Sequence, residues 1–227
     1  IALGIDSGTP DGKVPTSKIN KLTSLDVSSS SITDLTGLQD FVSLTYFVNM
    51  YNNTPTVDLS KNVNLTFFRC ERSNIENLNV SQNTKLTQLL FGDNKIKSVD
   101  LSKLTELREL YCYSNALTNI DLSSNVKLQT LYIYENQLTK LDLSKNVALT
   151  YVNARSNRSL TELNLKNGQN TLIKKGSLIA TENTSLYCIT VDDVDYANTN
   201  WSTGKDISVD FTLTCSEPEY TLIPDVE

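Results

Sequence analysis

Two pairs of tyrosines carry the most regular chemistry in this 227-residue chain. Tyr111 and Tyr113 are separated by one residue, and Tyr132 and Tyr134 repeat the pair 21 positions later. Tyr151 and Arg155 stand close to where a third pair would fall, and Tyr46, Phe67 and Arg69 hold related positions upstream. Residues two apart on a strand share a face. Tyrosine offers a large rigid contact area with a polar tip at modest entropic cost, which suits recognition rather than bond-making. Tyrosine also favours exposed β-faces for packing reasons alone. A block of four on an otherwise small, polar surface points to binding. Protein and glycan ligands both remain open, because aromatic surfaces serve either.

A second regular set is acidic: Asp58, Asn79, Asp100, Asp121, Asp142 and Asn164. Stacked at about 4.8 Å, like charges repel and must be screened. Interleaved Lys61, Lys103, Lys140 and Lys145 can do this on a solvated face, and bound Ca²⁺ is the alternative. Asp6 and Asp11, in Asp-Ser-Gly-Thr-Pro-Asp-Gly, offer oxygen ligands and turn glycines, which fit either a calcium loop or a tight turn. No other cofactor is expected. The run Asp192-Asp193-Val-Asp195 is read as a polar loop entering the C-terminal cap.

Catalysis finds little support. The chain has no histidine, which removes the commonest general base and metal ligand together. None of G-x-S-x-G, G-x-x-x-x-G-K-[ST] or G-x-G-x-x-G occurs. The expected reading is not an enzyme. Net charge −6 and a pI near 4.8 oppose nucleic acid as a main partner, and no apolar run is long enough for membrane insertion. With no initiator Met and no basic-then-apolar start, any secretory leader is expected to have been removed.

What positions the tyrosines is a repeat. Leu22, Leu44, Leu65, Leu86, Leu107, Leu128 and Leu149 each open a unit, first 22 and then 21 residues apart. The chain holds 32 Leu, 24 Asn, 24 Ser and 26 Thr, a repeat composition. Each unit contains two period-2 stretches, such as Leu110/Cys112 and Ile120/Leu122. Alternation of that kind predicts a strand with one buried face. No single unit can bury its apolar edge, whereas stacked units can. The fold class expected is mostly β: a right-handed parallel β-solenoid with two short strands per 21-residue coil. Asn52, Asn94, Asn115, Asn136 and Asn157 mark one corner, with Ser73 standing in; Asn62, Asn83, Asn125 and Asn146 mark another, with Leu104 as the exception. A buried amide donates and accepts, so these asparagines are assigned to corner backbone.

Units such as Leu-Thr-Gln-Leu-Leu-Phe-Gly-Asp-Asn and Leu-Asp-Leu-Ser-Lys-Asn resemble leucine-rich repeats over about residues 22–191. More narrowly they resemble the nested 21-residue bacterial class of Bacteroidetes-type proteins. The stretch from Ile32 to Leu38 is similar to an internalin-like unit. The resemblance implies a secreted or cell-surface bacterial adhesin or binding module. Its partner would be a protein or glycan on a host or neighbouring cell. A carbohydrate-binding accessory module and a structural spacer are the alternatives. The ends, Ile1-Ala-Leu-Gly-Ile-Asp6 and Ile223-Pro-Asp-Val-Glu227, resemble two parts of one motif, which implies tandem modules or head-to-tail association.

The expected boundaries are 1–21 for an N-terminal cap and 22–191 for the solenoid, with an inserted polar loop at 166–176. A C-terminal cap follows at 192–215, and then a linker or further module at 216–227. Cys70 and Cys112 share an inward column two coils apart, about 9–10 Å between Cα atoms and beyond disulfide reach. They are read as buried thiols. Cys188 and Cys215 bracket the C-terminal cap and are read as a disulfide, in keeping with the secreted proteins that the chain resembles.

Overall fold

The computed structural model describes residues 15–216. Asp6, Asp11, most of the expected N-terminal cap and the tail beyond 216 lie outside the described residues. After a one-turn helix, α1 (Thr16–Ile19), the chain is built from short strands. They are β1 (Ser24–Asp26), β2 (Tyr46–Val48), β3 (Thr56–Asp58), β4 (Phe67–Arg69), β5 (Asn77–Asn79), β6 (Gln88–Leu90) and β7 (Glu109–Tyr111). There follow β8 (Thr130–Tyr132), β9 (Lys140–Asp142), β10 (Tyr151–Asn153), β11 (Glu162–Asn164), β12 (Leu178–Ile179) and β13 (Cys188–Thr190). A helix, α2 (Val194–Trp201), precedes the last strand, β14 (Asp210–Thr212).

These strands wind into a parallel β-solenoid of about nine turns. One side is a continuous eight-stranded sheet in the order β1-β2-β4-β6-β7-β8-β10-β12. Its register places Gln88, Glu109, Thr130 and Tyr151 in one row, and Leu90, Tyr111, Tyr132 and Asn153 in the next. The unit-opening leucines from Leu44 to Leu149 are fully buried and stack with Leu89, Leu110, Leu131 and Val152 into a single core. Each buried leucine contributes about 1.5–3 kcal/mol of transfer free energy.

The second strands pair in two separate blocks, β3-β5 and β9-β11-β13-β14. Between them, residues 98–100 and 119–121 form no strand. There Val99 and Ile120 are only half-buried, whereas Val57, Leu78 and Leu141 in the paired coils are buried. The break coincides with Leu104, where the corner asparagine is missing and its two amide bonds to the preceding coil are lost. A depression of about 560 Å³, lined by residues including Leu78, Asn79, Val99 and Asp100, marks the gap.

The first corner column of asparagines both accepts and donates, as expected, whereas in the second column Asn62, Asn83, Asn125 and Asn146 only donate and their buried Oδ1 atoms have no partner. Asn115 accepts from the Ile96 amide and donates to the carbonyls of Phe91, Cys112 and Tyr113. Asn125 donates to Leu101 and Leu104, and Asn146 to Leu122 and Asn125. Corner carbonyls are thereby satisfied away from water. Just ahead of the first corner column, Tyr51, Arg72, Asp93, Ser114, Glu135, Ser156 and Glu182 are all left-handed, with φ between 47° and 61°. None of these is glycine. The side chains form their own ladder: Arg72 over the Tyr51 ring and paired with Asp93, Ser114 on Glu135, and Ser156 on Glu182.

Residues 192–215 leave the repeat through α2 and then return, since β14 joins β13 in parallel. The run from Asp192 to Asp195, expected as a polar loop, instead starts α2: Asp193 caps it by accepting from the Tyr196 amide at 2.9 Å, and Asp195 lies in its first turn. The inserted stretch at 166–176 is less polar than its composition suggests, because Asn170 and Ile173 are buried. Trp201 is buried against it, with its indole N–H donating to the Ile173 carbonyl. Asp206 takes the place of the next corner asparagine, accepting from the amides of Glu182 and Asn183. Cys188 and Cys215 form a disulfide with Cα atoms 6.0 Å apart. Cys70 and Cys112 are buried free thiols, and burial pushes both above the ordinary thiol range. Among the described residues no helix is long and apolar enough to cross a membrane.

Candidate functional site

The outward side chains of the eight-stranded sheet form the candidate face. Because β7 and β8 are in register, Tyr111 lies beside Tyr132 and Tyr113 beside Tyr134. The Tyr113 and Tyr134 rings stack at 4.6 Å and 6°. Tyr132 is flanked by Tyr111 at 4.5 Å and Tyr151 at 4.8 Å, with the edge of Tyr134 also against it at 6.5 Å. Five of the expected residues therefore form one contiguous aromatic surface.

Tyr113 is seated on Gly92. A methyl group there would sit 2.6 Å from ring carbons of Tyr113, so only glycine lets the ring lie flat. From that seat the Tyr113 hydroxyl donates to the Glu71 carboxylate at 2.7 Å, two coils away. Glu71, 3% exposed, also pairs with Arg69. Glu71 and Gly92 are site residues that motif reasoning missed. The available signal was a glycine in a column otherwise filled by Met50, Glu71, Tyr113 and Tyr134, a small residue where the neighbours are large.

The other expected residues are placed differently. Tyr46 and Phe67 stack at 4.4 Å and form a second, smaller cluster towards the N-terminal end. Gln88 and Leu90 separate it from the tyrosine block, and Leu90 is buried despite its outward position. Arg69 is held by Glu71, and Arg155 turns to the corner and pairs with Glu182.

Burial raises the phenol pKa values of Tyr111, Tyr113, Tyr134 and Tyr151. Tyr111 is raised by burial and then by Glu109, and Tyr134 by burial and then by Glu135. Tyr151 is pushed up to about 12, first by burial and then by its hydrogen bond with Tyr132. Tyr113 is raised further, by burial and by Glu71. The face is thus aromatic, protonated at neutral pH and edged with carboxylates.

The acidic row on the other side has a local explanation. Asp58, Asp100, Asp121 and Asp142 each accept from the amide of the serine two residues on, at 2.9 Å. Those serine bonds hold the carboxyls of Asp58, Asp100 and Asp121 below the usual range. Among the described residues no three metal-ligating side chains come together.

No family model and no curated protein matches the chain. Solved structures do. Internalin C2 from Listeria monocytogenes aligns with 88% of this chain and 84% of its own, at 19% identity and a TM-score of 0.60. The leucine-rich repeat domain of the type III effector XopL aligns with 76% of this chain and 64% of its own, at 14% identity and a TM-score of 0.62. The fold is an internalin-like leucine-rich-repeat solenoid. The functional domain of InlJ from Listeria monocytogenes, whose description notes a cysteine ladder, is 25% identical over 78% of this chain, with a TM-score of 0.45. The chain spans 55% of that InlJ domain and 64% of the XopL domain. Solenoids of this architecture present an extended strand face.

Proposed function

We propose that this chain is a non-enzymatic binding module, displayed at or secreted from a bacterial cell surface, that recognises a protein partner through its tyrosine face. The observation that carries this reading is how the rings use one another. Tyr132 has ring neighbours on both sides, and Tyr113 lies between the Gly92 backbone and the Tyr134 ring. Stacking of a sugar needs an open ring face, and these faces are largely taken. Half-exposed rings, with the hydroxyls not already bonded inside the block, suit the mixed apolar and polar contacts of a protein interface. The cells best able to keep the Cys188–Cys215 disulfide oxidised are those that export the chain, which supports an extracellular location. The nested 21-residue repeat supports a Bacteroidetes-type source.

The test pans a displayed library of extracellular protein domains against the chain, with a glycan array run in parallel. The expected result is a protein ligand whose affinity falls at least about tenfold in Tyr132→Ala/Tyr134→Ala, as loss of aromatic anchors at an interface centre does. Glycan signals abolished by the same double substitution would overturn the reading in favour of a carbohydrate module. A double variant equal to wild type in every assay would overturn it in favour of a spacer.

A further inference from the structure

The tyrosine block contains one short side chain and one uncommitted charge, and they are adjacent. Thr130 lies in the row Glu109, Thr130, Tyr151, with Tyr111 and Tyr132 alongside in the next row. Tyr151 leans away from that row, its ring 4.8 Å from Tyr132, so Thr130 sits at the bottom of a step between larger neighbours.

Glu109 forms one wall of this step. Among the described residues its half-buried carboxylate makes no hydrogen bond or ion pair. The cations of the face are engaged elsewhere: Arg69 with Glu71, Arg72 with Asp93, and Arg155 with Glu182. Arg108, the chain neighbour of Glu109, stands near Glu106, whose carboxyl is held below the usual range first by Lys127 and also by Arg108. Glu109 acts electrostatically on the neighbouring Tyr111 phenol, yet its carboxylate has no cation of its own among the described residues. Cation and aromatic chemistry is already in use in this solenoid, where Arg72 lies 5.5 Å over the Tyr51 ring.

We propose that the step over Thr130 receives a lysine or arginine side chain of the protein partner, its charge on the Glu109 carboxylate and its stem along Tyr111, Tyr132 and Tyr151. The inference rests on the protein-binding reading above and gives that partner a chemistry: a basic segment facing an acidic module of net charge −6.

The probes are three capped pentapeptides, one with two lysines, one with two arginines and one with two glutamates, each otherwise glycine. They are titrated at low salt into the full chain, with tyrosine-ring and threonine-methyl signals followed by NMR. The basic peptides shift Thr130, Tyr111 and Tyr132 saturably, the acidic peptide does not, and added salt weakens the effect. Glu109→Gln weakens the apparent affinity about fivefold, the scale of one partly exposed charge pair. Glu106→Gln, off the face, leaves it unchanged. Glu109→Gln removes no internal bond and melts with wild type, so lost binding is not lost folding. Shifts spread evenly over the carboxylates of the chain, or equal binding by Glu109→Gln, overturn the proposal. A panned protein ligand that needs Tyr132 and Tyr134 but ignores Glu109→Gln overturns this inference and leaves the protein-binding reading standing.

Discussion

The hydroxyl of Tyr113 reaches back across two coils to the carboxylate of Glu71, 2.7 Å away and 42 residues earlier in the chain. Gly92, in the coil between, is the floor over which the ring passes. A buried carboxylate, an aromatic ring and a glycine thus form one unit, with Arg69 supplying the second bond to Glu71.

Breaking that unit at its floor has a definite consequence. Gly92→Ala lifts the Tyr113 ring and withdraws its hydroxyl from Glu71, with an expected loss of about 1–2 kcal/mol. Tyr113→Phe keeps the ring seated and removes only the bond, at about 1 kcal/mol. Because the first change contains the second, the two are less than additive when combined. Urea midpoints of wild type, both singles and the double check this; strict additivity refutes the seating.

Alkaline pH acts on the same face. The raised pKa values of Tyr111, Tyr113, Tyr134 and Tyr151 mean that the folded state favours the neutral phenol. Their contribution to stability is complete below the unfolded value near 10 and is lost as pH rises through the folded values. Between about pH 10 and 12 the urea midpoint falls less steeply in Tyr151→Phe than in wild type. Tyrosinate absorbance, followed in parallel, shows a late-ionising group in the native chain that merges with the rest in denaturant.

The left-handed corners carry a conformational cost that can be relieved. Ser31 has φ 56°, is exposed, and has no side-chain bond among the described residues. Ser31→Gly is expected to raise stability by about 0.5–1 kcal/mol, because glycine occupies this region without the Cβ penalty. Ser31→Val is expected to lower it by about 1 kcal/mol, β-branching being the worst choice there. Thermal melts of the pair decide the sign.

Reduction is a further lever. Opening the Cys188–Cys215 bridge, whose partners are 27 residues apart, lowers stability by about 2–4 kcal/mol. The strand Asp210–Thr212 is expected to lose hydrogen-exchange protection first, since the bridge ties the segment just beyond it to its neighbour Cys188–Thr190. Cys70 and Cys112 stay unreactive in the native chain, and two thiols titrate once it is unfolded without reductant.

Periodicity alone specified the stacked coils, the inward leucines, the corner asparagines and the alignment of Tyr111 with Tyr132. Those features depend on spacing along one strand and on the match between successive units, and both are written into the order of residues. It also singled out Cys188 and Cys215, because they flank the point where the repeat stops. Other features needed coordinates. The second sheet breaks where Val99 and Ile120 pack loosely beside Leu104, and the left-handed corners use non-glycine residues that carry no signature. Tyr113 pairs with Glu71, Tyr151 leans from one row to the next, and Arg155 turns from the tyrosine face to Glu182. The physical reason is the same in each case. A repeat sets which backbone positions become neighbours, whereas the torsions of long side chains and their choice among several partners in reach are decided only when all the coils are packed together.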